Sequence, residues 1–263
     1  MNYKTIDFSQ YSSIKIGPTI DVALLEECSD YSSDYFIIGS CNNILIGPNP
    51  PKLMMLSKKY NYIKIENGIL KIGGATPSGQ IVSFCKKHNI ANFEFLSHLP
   101  GKLGGLVFMN AGVKEYEIFN NLINIKTCSH IKQKCEIDYK YRFTNITEPI
   151  LEASFELSYG FDITKVELLK KMRNNQPSTP SAGSCFKNPP NEYAGHLIEK
   201  VGLKGIKHGS MEFSYQHANF LVNNENGNFN DAISLIKKAQ NYIYTYFNLN
   251  LELEIEILDL DYI

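Results

Sequence analysis

The sequence lacks several features that would assign it to a specialised class of protein. It has no apolar stretch of membrane-spanning length, no internal repeat and no low-complexity tract. The formal net charge is only −1 over 263 residues, and the Lys and Arg residues are not gathered in a stripe. We therefore expect neither a nucleic acid nor an acidic membrane as the main partner.

Its cysteines form no Cys-x-x-Cys pair, and no pair of histidines has metal-ligand spacing. The six cysteines are scattered along the chain, which fits reduced thiols and predicts that there is no metal site. The first ten residues contain no cationic lead followed by an apolar run, so a signal peptide is not expected. These absences together predict a cytoplasmic protein without membrane insertion.

The composition is that of an ordinary globular protein. It is 43% hydrophobic and 20% charged, which excludes wholesale disorder. A chain of 263 residues can bury a sizeable core, in one large domain or in two to three small ones.

Local patterns predict a mixture of short strands and helices. The Asn-Gly pair inside 62–72 lies between two apolar alternations and predicts a β-hairpin. Helical spacing predicts helices near 22–28, over 164–173 and over 231–246. Strict alternation of apolar and polar residues predicts a strand over 249–258.

Two glycine-containing segments predict loops whose backbone can hold an anion or a flat cofactor. The turn at 39–43 follows a predicted strand, and its exposed N–H groups suit pyrophosphate, although a plain hairpin turn fits equally well. Glycines interrupt the apolar residues of 93–112, which suggests that something large lies against the backbone. The spacing matches neither Gly-x-Gly-x-x-Gly nor a Walker loop, so a Rossmann fold is not expected. A tightly packed Gly-Gly turn before a helix is the alternative.

A third segment, 180–189, places small residues, one hydroxyl, one cation and one amide between two prolines. Because proline fixes φ and glycine frees it, we predict an irregular loop here, neither helix nor strand. Such a loop can present Ser184, Lys187 and Asn188 to a ligand, and a plain surface turn is the alternative. Arg142 lies between aromatic residues in the sequence. Its guanidinium could be buried and bind a carboxylate or phosphate with its fork of N–H groups. The alternative is a surface cation that lies over an aromatic ring.

Along nearly the whole chain, and in the same order, these segments resemble the UDP-N-acetylenolpyruvoylglucosamine reductases (the MurB family) of bacterial cell-wall synthesis. The most specific matches are 180–189 and 96–112. Supporting matches lie at 141–142, 195–205, 217–220 and 251–255. The resemblance implies an α+β fold, with a two-lobed FAD-binding module of the vanillyl-alcohol-oxidase/PCMH type and a C-terminal α+β substrate-binding domain.

The resemblance also implies residue boundaries for these regions. The FAD-binding region is expected over 1–160, split into two lobes near residue 57, and the substrate-binding domain over 161–248. The terminal strand, 249–263, is expected to return to the first region. A shift of composition after Gly160 agrees with the first boundary. No insertion carrying a tyrosine lid is visible, which is typical of the shorter subtype.

The implied activity is the NADPH-dependent reduction of UDP-N-acetylglucosamine enolpyruvate to UDP-N-acetylmuramate through bound FAD, in peptidoglycan precursor synthesis. NADPH would reduce the flavin and leave, and the enolpyruvyl sugar nucleotide would then accept a hydride. The implied partners are the UDP-sugar and NADPH, and a monomer is expected. The alternatives are another FAD-dependent oxidoreductase of the same fold and a flavin-free nucleotide-sugar-binding protein.

The resemblance assigns catalytic roles to three side chains. Arg142 would stabilise the growing carboxylate charge, Glu254 would polarise the same centre or orient a shared proton, and Ser184 would donate the proton. Substrate contacts are expected from Tyr141, Lys187, Asn188 and His217. Cofactor contacts are expected from Gly39, Ser40, Cys41, Asn42, Asn43, Pro100, Gly101, Gly104, Gly105, Asn110, Ala111 and Gly112.

Two positions depart from the family pattern. The family usually has a Gly-Gly-Gly-Ser-Asn-like run where this chain has residues 39–43. Ser40 and Cys41 must therefore avoid positive φ or accept strain, which bears on the FAD contacts of the turn. His98 stands where the family usually has glycine.

Overall fold

The structure is a computed structural model that describes residues 1–262, and the chain in it divides into two compact units. Unit 1 comprises residues 1–4, 22–40 and 52–174. Unit 2 comprises residues 5–21, 41–51 and the chain from 175 onward. The functional regions expected at 1–160, 161–248 and 249–263 stay a prediction.

The secondary structure is a mixture of short strands and helices. The strands are β1 (Asn2–Asp7), β2 (Thr19–Leu25), β3 (Phe36–Ile38), β4 (Ile44–Ile46), β5 (Leu53–Leu56), β6 (Ile63–Glu66), β7 (Ile69–Gly73), β8 (Gly112–Val113), β9 (Tyr116–Glu117), β10 (Leu122–Lys126), β11 (Ile131–Gln133), β12 (Tyr139–Lys140), β13 (Phe143–Thr144), β14 (Glu152–Glu156), β15 (Ser181–Ser184), β16 (Lys207–His208), β17 (Met211–Phe213), β18 (Phe220–Asn223) and β19 (Glu256–Leu258). The α-helices are α1 (Phe8–Tyr11), α2 (Ser78–Lys87), α3 (Leu103–Phe108), α4 (Ile163–Met172), α5 (Ala194–Lys200) and α6 (Phe229–Phe247). Short 3-10 helices lie at Cys28–Asp30, Lys58–Tyr60, Glu94–His98 and Lys134–Glu136.

Unit 1 is built on an antiparallel sheet of order β11-β10-β14-β7-β6. The predicted hairpin is confirmed as β6 and β7, and Asn67 and Gly68 both take positive φ, 51° and 74°, as a tight hairpin turn requires. Helices α2, α3 and α4 contribute apolar side chains to the core of this unit. In that core the rings of Phe93 and Phe155 pack edge to face at 5.2 Å.

A second sheet, of order β1-β2-β5-β3, corrects the helix predicted near 22–28. In this sheet β5 pairs in parallel with β2 and β3, and Ala23 lies opposite Met54. Val22 and Ala23, which are consecutive in β2 and so point to opposite faces, are both fully buried, and both faces of the strand are therefore apolar. A short apolar run of this kind cannot be distinguished from a buried helical turn by its periodicity alone.

Unit 2 contains an antiparallel sheet of order β15-β18-β17-β16 and a parallel pair formed by β4 and β19. The helix predicted over 231–246 is confirmed as α6, and that over 164–173 in unit 1 as α4. The side chain of Asn228 caps α6 by accepting a hydrogen bond from the N–H of Asp231, and Asn248 ends it at φ 51°. Ile236 and Ile243 of α6 are fully buried in the core of unit 2.

Two predictions in unit 2 are wrong in part. Ser181–Ser184 belongs to a strand, because it pairs with β18, whereas the segment 180–189 was expected to be irregular throughout. Only Glu256–Leu258 of the strand expected over 249–258 is a strand, and it pairs with β4. Leu253 forms an isolated bridge with Phe186 instead. Within residues 1–262, no helix is long and apolar enough to cross a membrane.

Candidate active site

Ser184 is the last residue of β15, where it pairs with Phe220 of β18. Gly183 before it has φ +78°, and a Cβ built there would lie 3.9 Å from the carbonyl oxygen of Asn42, its nearest neighbour. The side chain of Ser184 is half-buried, and its hydroxyl has no hydrogen-bond partner within residues 1–262. The hydroxyl can therefore donate a hydrogen bond, or a proton, to a ligand.

Glu254 is held beside the peptide that follows Ser184. The carbonyl oxygen of Cys185 accepts hydrogen bonds from the N–H of Glu254 at 2.9 Å and from that of Ile255 at 3.4 Å. On the other side, the amide Nδ2 of Asn43 donates to the carbonyl oxygen of Glu254 at 2.8 Å. The structure thus brings together two predicted catalytic residues, Ser184 and Glu254, with the predicted cofactor residue Asn43.

Cys185 lies in the middle of this arrangement but is sealed from solvent. Its exposure is 0%, and burial, together with the nearby charge of Glu254, raises the pKa of its thiol. Since the thiolate is the form that oxidants attack, this thiol is expected to be inert.

Asn219 was missed as a site residue, although it lies inside the family segment 217–220. It is 3% exposed, and its side chain forms both hydrogen bonds of a clamp on Phe186: Nδ2 donates to the carbonyl oxygen at 2.8 Å, and Oδ1 accepts from the N–H at 3.0 Å. Its own carbonyl oxygen accepts from the N–H of Cys185 at 2.7 Å. Only the tertiary pairing of β15 with β18 reveals this clamp, which fixes the backbone directly after Ser184.

Lys187 and Asn188 are both engaged with the protein. The Nζ atom of Lys187 lies 3.5 Å from a carboxylate oxygen of Glu252, and its N–H donates to the carbonyl oxygen of Glu252 at 2.9 Å. The Oδ1 atom of Asn188 accepts from the N–H of Ala194, the first residue of α5, at 3.1 Å. Both residues lie in the same unit as Ser184, and their contact with a substrate stays a prediction.

His217 is half-buried at the turn before β18. Its Nδ1 atom accepts a hydrogen bond from the N–H of Asn219 at 3.3 Å, and its ring meets Phe220 edge to face at 4.9 Å. Burial lowers the pKa of the imidazole, which favours the neutral ring. With Nδ1 as acceptor, the neutral ring carries its proton on Nε2, which can then donate to a ligand.

Arg142 lies in unit 1, in the turn between β12 and β13, with φ +55°. Its Nη2 atom donates to the carbonyl oxygen of Gly112 at 3.0 Å, and its guanidinium carbon lies 5.0 Å from the ring centroid of Tyr141. The arginine is half-buried and lies over an aromatic ring, as the second alternative predicts. Its use as a fork for a carboxylate or phosphate stays a prediction.

Segments 39–40 and 100–105, both expected to contact the cofactor, lie next to each other in unit 1. A Cβ built on Gly39 would lie 3.9 Å from the Cβ of Lys102, with no closer neighbour. Gly101 has φ +152°, and a Cβ on Gly104 would lie 3.2 Å from the carbonyl oxygen of Gly74. Around Gly105, the same construction meets nothing within 4 Å. A ligand can therefore approach the backbone at Gly39 and Gly105, whereas Gly104 packs closely against the protein, as in the alternative of a tightly packed turn. Pro100 beside them is exposed.

Asn110 offers a buried oxygen with no protein partner. The residue is 0% exposed and has φ +44°, and its Nδ2 atom donates to Glu117 Oε2 at 2.8 Å and to the carbonyl oxygen of Lys140 at 3.3 Å. Its Oδ1 atom has no hydrogen-bond partner within residues 1–262. Such an oxygen suits an N–H or O–H donor of a cofactor, so this part of the chain fits one. Ala111 and Gly112, which follow, are buried as well.

The substituted turn at 39–43 keeps a glycine-like conformation at one position. Cys41 has φ +51° and is 2% exposed, whereas Ser40 keeps a negative φ. The left-handed conformation costs roughly 1 kcal/mol for a residue with a Cβ. The strain anticipated from the sequence is therefore confined to Cys41, and the backbone still follows the path that glycine would allow.

Comparison with known proteins shows which family this chain is similar to. Residues 175–258 match the family described as "UDP-N-acetylenolpyruvoylglucosamine reductase, C-terminal domain". The UDP-N-acetylenolpyruvoylglucosamine reductase of Campylobacter jejuni (strain RM1221) is 43% identical over 244 residues, covering 91% of this chain and 94% of that protein. The protein of the same name from Helicobacter hepaticus is 43% identical over 248 residues, covering 93% and 94%.

Among solved structures, the UDP-N-acetylenolpyruvylglucosamine reductase (MurB) from Thermus caldophilus shares the fold. Its superposition on this chain has a TM-score of 0.87 and covers 98% of this chain and 99% of that one. At 23% identity, this match speaks for the fold alone. The predicted mixture of α and β elements is thereby confirmed.

Proposed function

The chain belongs to the UDP-N-acetylenolpyruvoylglucosamine reductase family, and we propose that it reduces UDP-N-acetylglucosamine enolpyruvate to UDP-N-acetylmuramate with electrons from NADPH. The observation that supports this most directly is the hydrogen bond between the N–H of Glu254 and the carbonyl oxygen of Cys185. It holds the backbone of Glu254 against the residue that follows Ser184, so a residue with a carboxylate and a residue with a free hydroxyl lie in the same part of unit 2.

In this proposal Ser184 delivers the proton that completes the reduction. A serine hydroxyl is a weak acid, but the carbon that receives the proton has enolate character and is a strong base. The clamp of Asn219 on Phe186 holds the backbone after Ser184, which limits the positions that the hydroxyl can take. The carboxylate of Glu254 polarises the same centre or orients the proton.

Arg142 stabilises the negative charge that grows on the pyruvyl carboxylate. Its guanidinium is already oriented by Tyr141 and by the carbonyl oxygen of Gly112, so little reorganisation is needed when the charge appears. Substrate contacts by Tyr141, Lys187, Asn188 and His217 complete the proposal. The Nε2–H of neutral His217 suits a phosphate or hydroxyl oxygen of the sugar nucleotide.

The proposed cofactor is FAD, held by a two-lobed module of the vanillyl-alcohol-oxidase/PCMH type. When bound, FAD would supply hydride-transfer chemistry between NADPH and the enolpyruvyl carbon. Residues 39–43 and 100–105 would cradle it with their backbone, and the orphaned Oδ1 atom of Asn110 would accept a hydrogen bond from it. The glycine-like conformation of Cys41 supports this role for the turn and disfavours a flavin-free binding protein.

We expect the protein to act as a cytoplasmic monomer, with NADPH and the UDP-sugar as its ligands. A flavin spectrum tests the cofactor, because the purified protein should be yellow and should bleach when NADPH is added without oxygen. Addition of UDP-N-acetylglucosamine enolpyruvate should then restore the oxidised spectrum faster than oxygen does. A protein that stays colourless after refolding with FAD would contradict the proposal, and reoxidation by oxygen alone would favour a different flavoenzyme.

A further inference from the structure

Unit 1 contains a polar cavity that the proposed reaction does not use. Its volume is about 170 Å³, and it lies where α4 packs against the 3-10 helix Glu94–His98. It is lined by a mixture of charged, amide and aromatic side chains, among them Glu94, Tyr116, Glu117, Asn121, Glu156 and Lys165.

Asn121 is the residue that points to a ligand here. It is 5% exposed, and neither Nδ2 nor Oδ1 of its side chain has a hydrogen-bond partner within residues 1–262. Only its backbone is engaged, since its carbonyl oxygen accepts from the N–H of Glu156 at 2.9 Å. A buried polar atom without a partner destabilises the folded protein, and this side chain has two. A ligand that satisfies the side chain of Asn121 must therefore supply both a hydrogen-bond donor and a hydrogen-bond acceptor.

The charges around the cavity decide which kind of ligand fits. Glu94 is 2% exposed, and one of its carboxylate oxygens accepts from the N–H of Asp162 at 2.9 Å. The carboxylates of Glu117 and Glu156 line the cavity too. Against these three carboxylates there is one ammonium group, that of Lys165. Glu94 is buried, Glu117 is half-buried and Glu156 is exposed. Because opposite charge is favoured near a buried carboxylate, the part of the cavity at Glu94 favours a cation.

We propose that this cavity binds a small protonated amine that also carries an oxygen acceptor, of the amino-alcohol class. Its ammonium group satisfies the carboxylate of Glu94 and the Oδ1 atom of Asn121, and its oxygen accepts from the Nδ2 atom of Asn121. The volume accommodates about five or six non-hydrogen atoms, at roughly 30 Å³ for each water-sized group. Within residues 1–262, no group of three or more His, Cys, Asp or Glu side chains is placed to hold a metal ion.

One hydrogen bond connects the lining of the cavity to a proposed cofactor contact. Glu117 lines it and also accepts from the Nδ2 atom of Asn110, whose Oδ1 atom is proposed to contact FAD. An amine at Glu117 would compete for that carboxylate. Binding itself does not depend on the flavin, so the test is independent of the proposed reaction.

Isothermal titration calorimetry of the full-length protein with ethanolamine tests the site at neutral pH. Saturable 1:1 binding is expected, while tetramethylammonium, a cation without N–H donors, should give none. Glu94→Gln and Asn121→Leu should each weaken ethanolamine binding by at least about tenfold, since each removes a charged or buried hydrogen bond. The control Glu115→Gln makes the same change of charge at an exposed position outside the cavity lining, and it should bind like the wild type.

The outcomes separate a ligand site from a cavity that holds water alone. Loss of binding in Glu94→Gln with a wild-type unfolding midpoint supports the proposal even where Asn121→Leu does not fold. Absence of saturable binding by ethanolamine, equal binding of tetramethylammonium, or wild-type affinity in Glu94→Gln would each overturn it.

Discussion

Asn219 and Phe186 are joined by two hydrogen bonds. The side-chain amide of Asn219 bonds both the backbone N–H and the backbone carbonyl oxygen of Phe186. The distances are 2.8 Å and 3.0 Å, and Asn219 and Phe186 are 3% and 0% exposed. Because water cannot replace these bonds, the segment that carries Ser184 depends on one residue, which directly precedes the neighbouring strand β18.

Replacement of Asn219 should therefore cost stability. In Asn219→Ala the N–H and carbonyl groups of Phe186 lose their partners in a buried site, and we expect a loss of about 2–4 kcal/mol in the free energy of unfolding. Urea denaturation followed by circular dichroism measures it. Asn224→Ala removes an exposed asparagine of the same unit and should change stability by less than about 0.5 kcal/mol. Equal losses in the two variants would refute the clamp.

Ser184→Ala tests the proton donor. Reduction of the flavin by NADPH should be kept, because no proton from Ser184 is needed in that half-reaction, while turnover of the enolpyruvyl substrate should fall about 10²–10⁴-fold. Stopped-flow absorbance separates the two half-reactions. Ser181→Ala, in the same strand, serves as the control and should turn over normally. Normal turnover in Ser184→Ala would exclude the proposed role.

Arg142→Lys tests charge stabilisation. Lysine keeps the charge but loses the planar fork, so we expect turnover to fall about 10²–10³-fold, with NADPH still able to bleach the flavin. Steady-state kinetics at saturating substrate measure the effect. Arg173→Lys makes the same exchange at an arginine that donates to the carbonyl oxygen of His98, and it should keep turnover. A similar decline in both variants would point to a general loss of structure.

His217 predicts a dependence of stability on pH. Burial lowers the pKa of its imidazole below the ordinary value of 6.5, so the folded protein binds fewer protons there than the unfolded chain. The stabilisation is complete above that value and is lost as the pH falls below it. Urea midpoints at about pH 7.5 and about pH 5.5 should differ more for the wild type than for His217→Asn. The opposite order would contradict the burial of the neutral ring.

Two glycines of unit 1 should respond oppositely to alanine. A Cβ on Gly74 would lie 1.9 Å from the carbonyl oxygen of Ile150, so Gly74→Ala should cost about 2 kcal/mol or more in the free energy of unfolding. Around Gly79, in α2, a Cβ meets nothing within 4 Å, so Gly79→Ala should gain roughly 0.5 kcal/mol through higher helix propensity. Chemical denaturation of both variants measures these changes. Destabilisation by Gly79→Ala would show that propensity does not control this position.

The parts of the fold that could be predicted are those whose signal is local. The hairpin over 62–72 rests on one Asn-Gly turn, and α4 and α6 rest on the spacing of their own apolar residues. In contrast, β2 and β15 form because of partners far along the chain: Met54 lies opposite Ala23, and Phe220 lies opposite Ser184. Nothing within either strand indicates that partner, so the sequence alone predicts a helix for β2 and a loop for β15.

The candidate site, like the fold, has residues that the sequence can predict and residues that it cannot. The motifs predict Ser184 and Glu254 as site residues, and the structure places them in one unit on adjacent backbone. The clamp by Asn219 and the unpartnered side chain of Asn121 depend on which groups remain without hydrogen bonds after folding. That is a property of the packed structure and not of any short stretch of sequence.

The segments of the two units alternate along the chain, and this order has a consequence for synthesis on the ribosome. Unit 2 takes its residues 5–21 and 41–51 early, but the strand that pairs with β4 is β19, near the end of the chain. Residues 44–46 thus leave the exit tunnel long before their partner exists, while most of unit 1 can already be completed from 52–174. The closure of such a long loop is slow, and an unpaired apolar strand attracts other nascent chains. Residues 44–46 are therefore expected to be prone to aggregation until β19 has been translated.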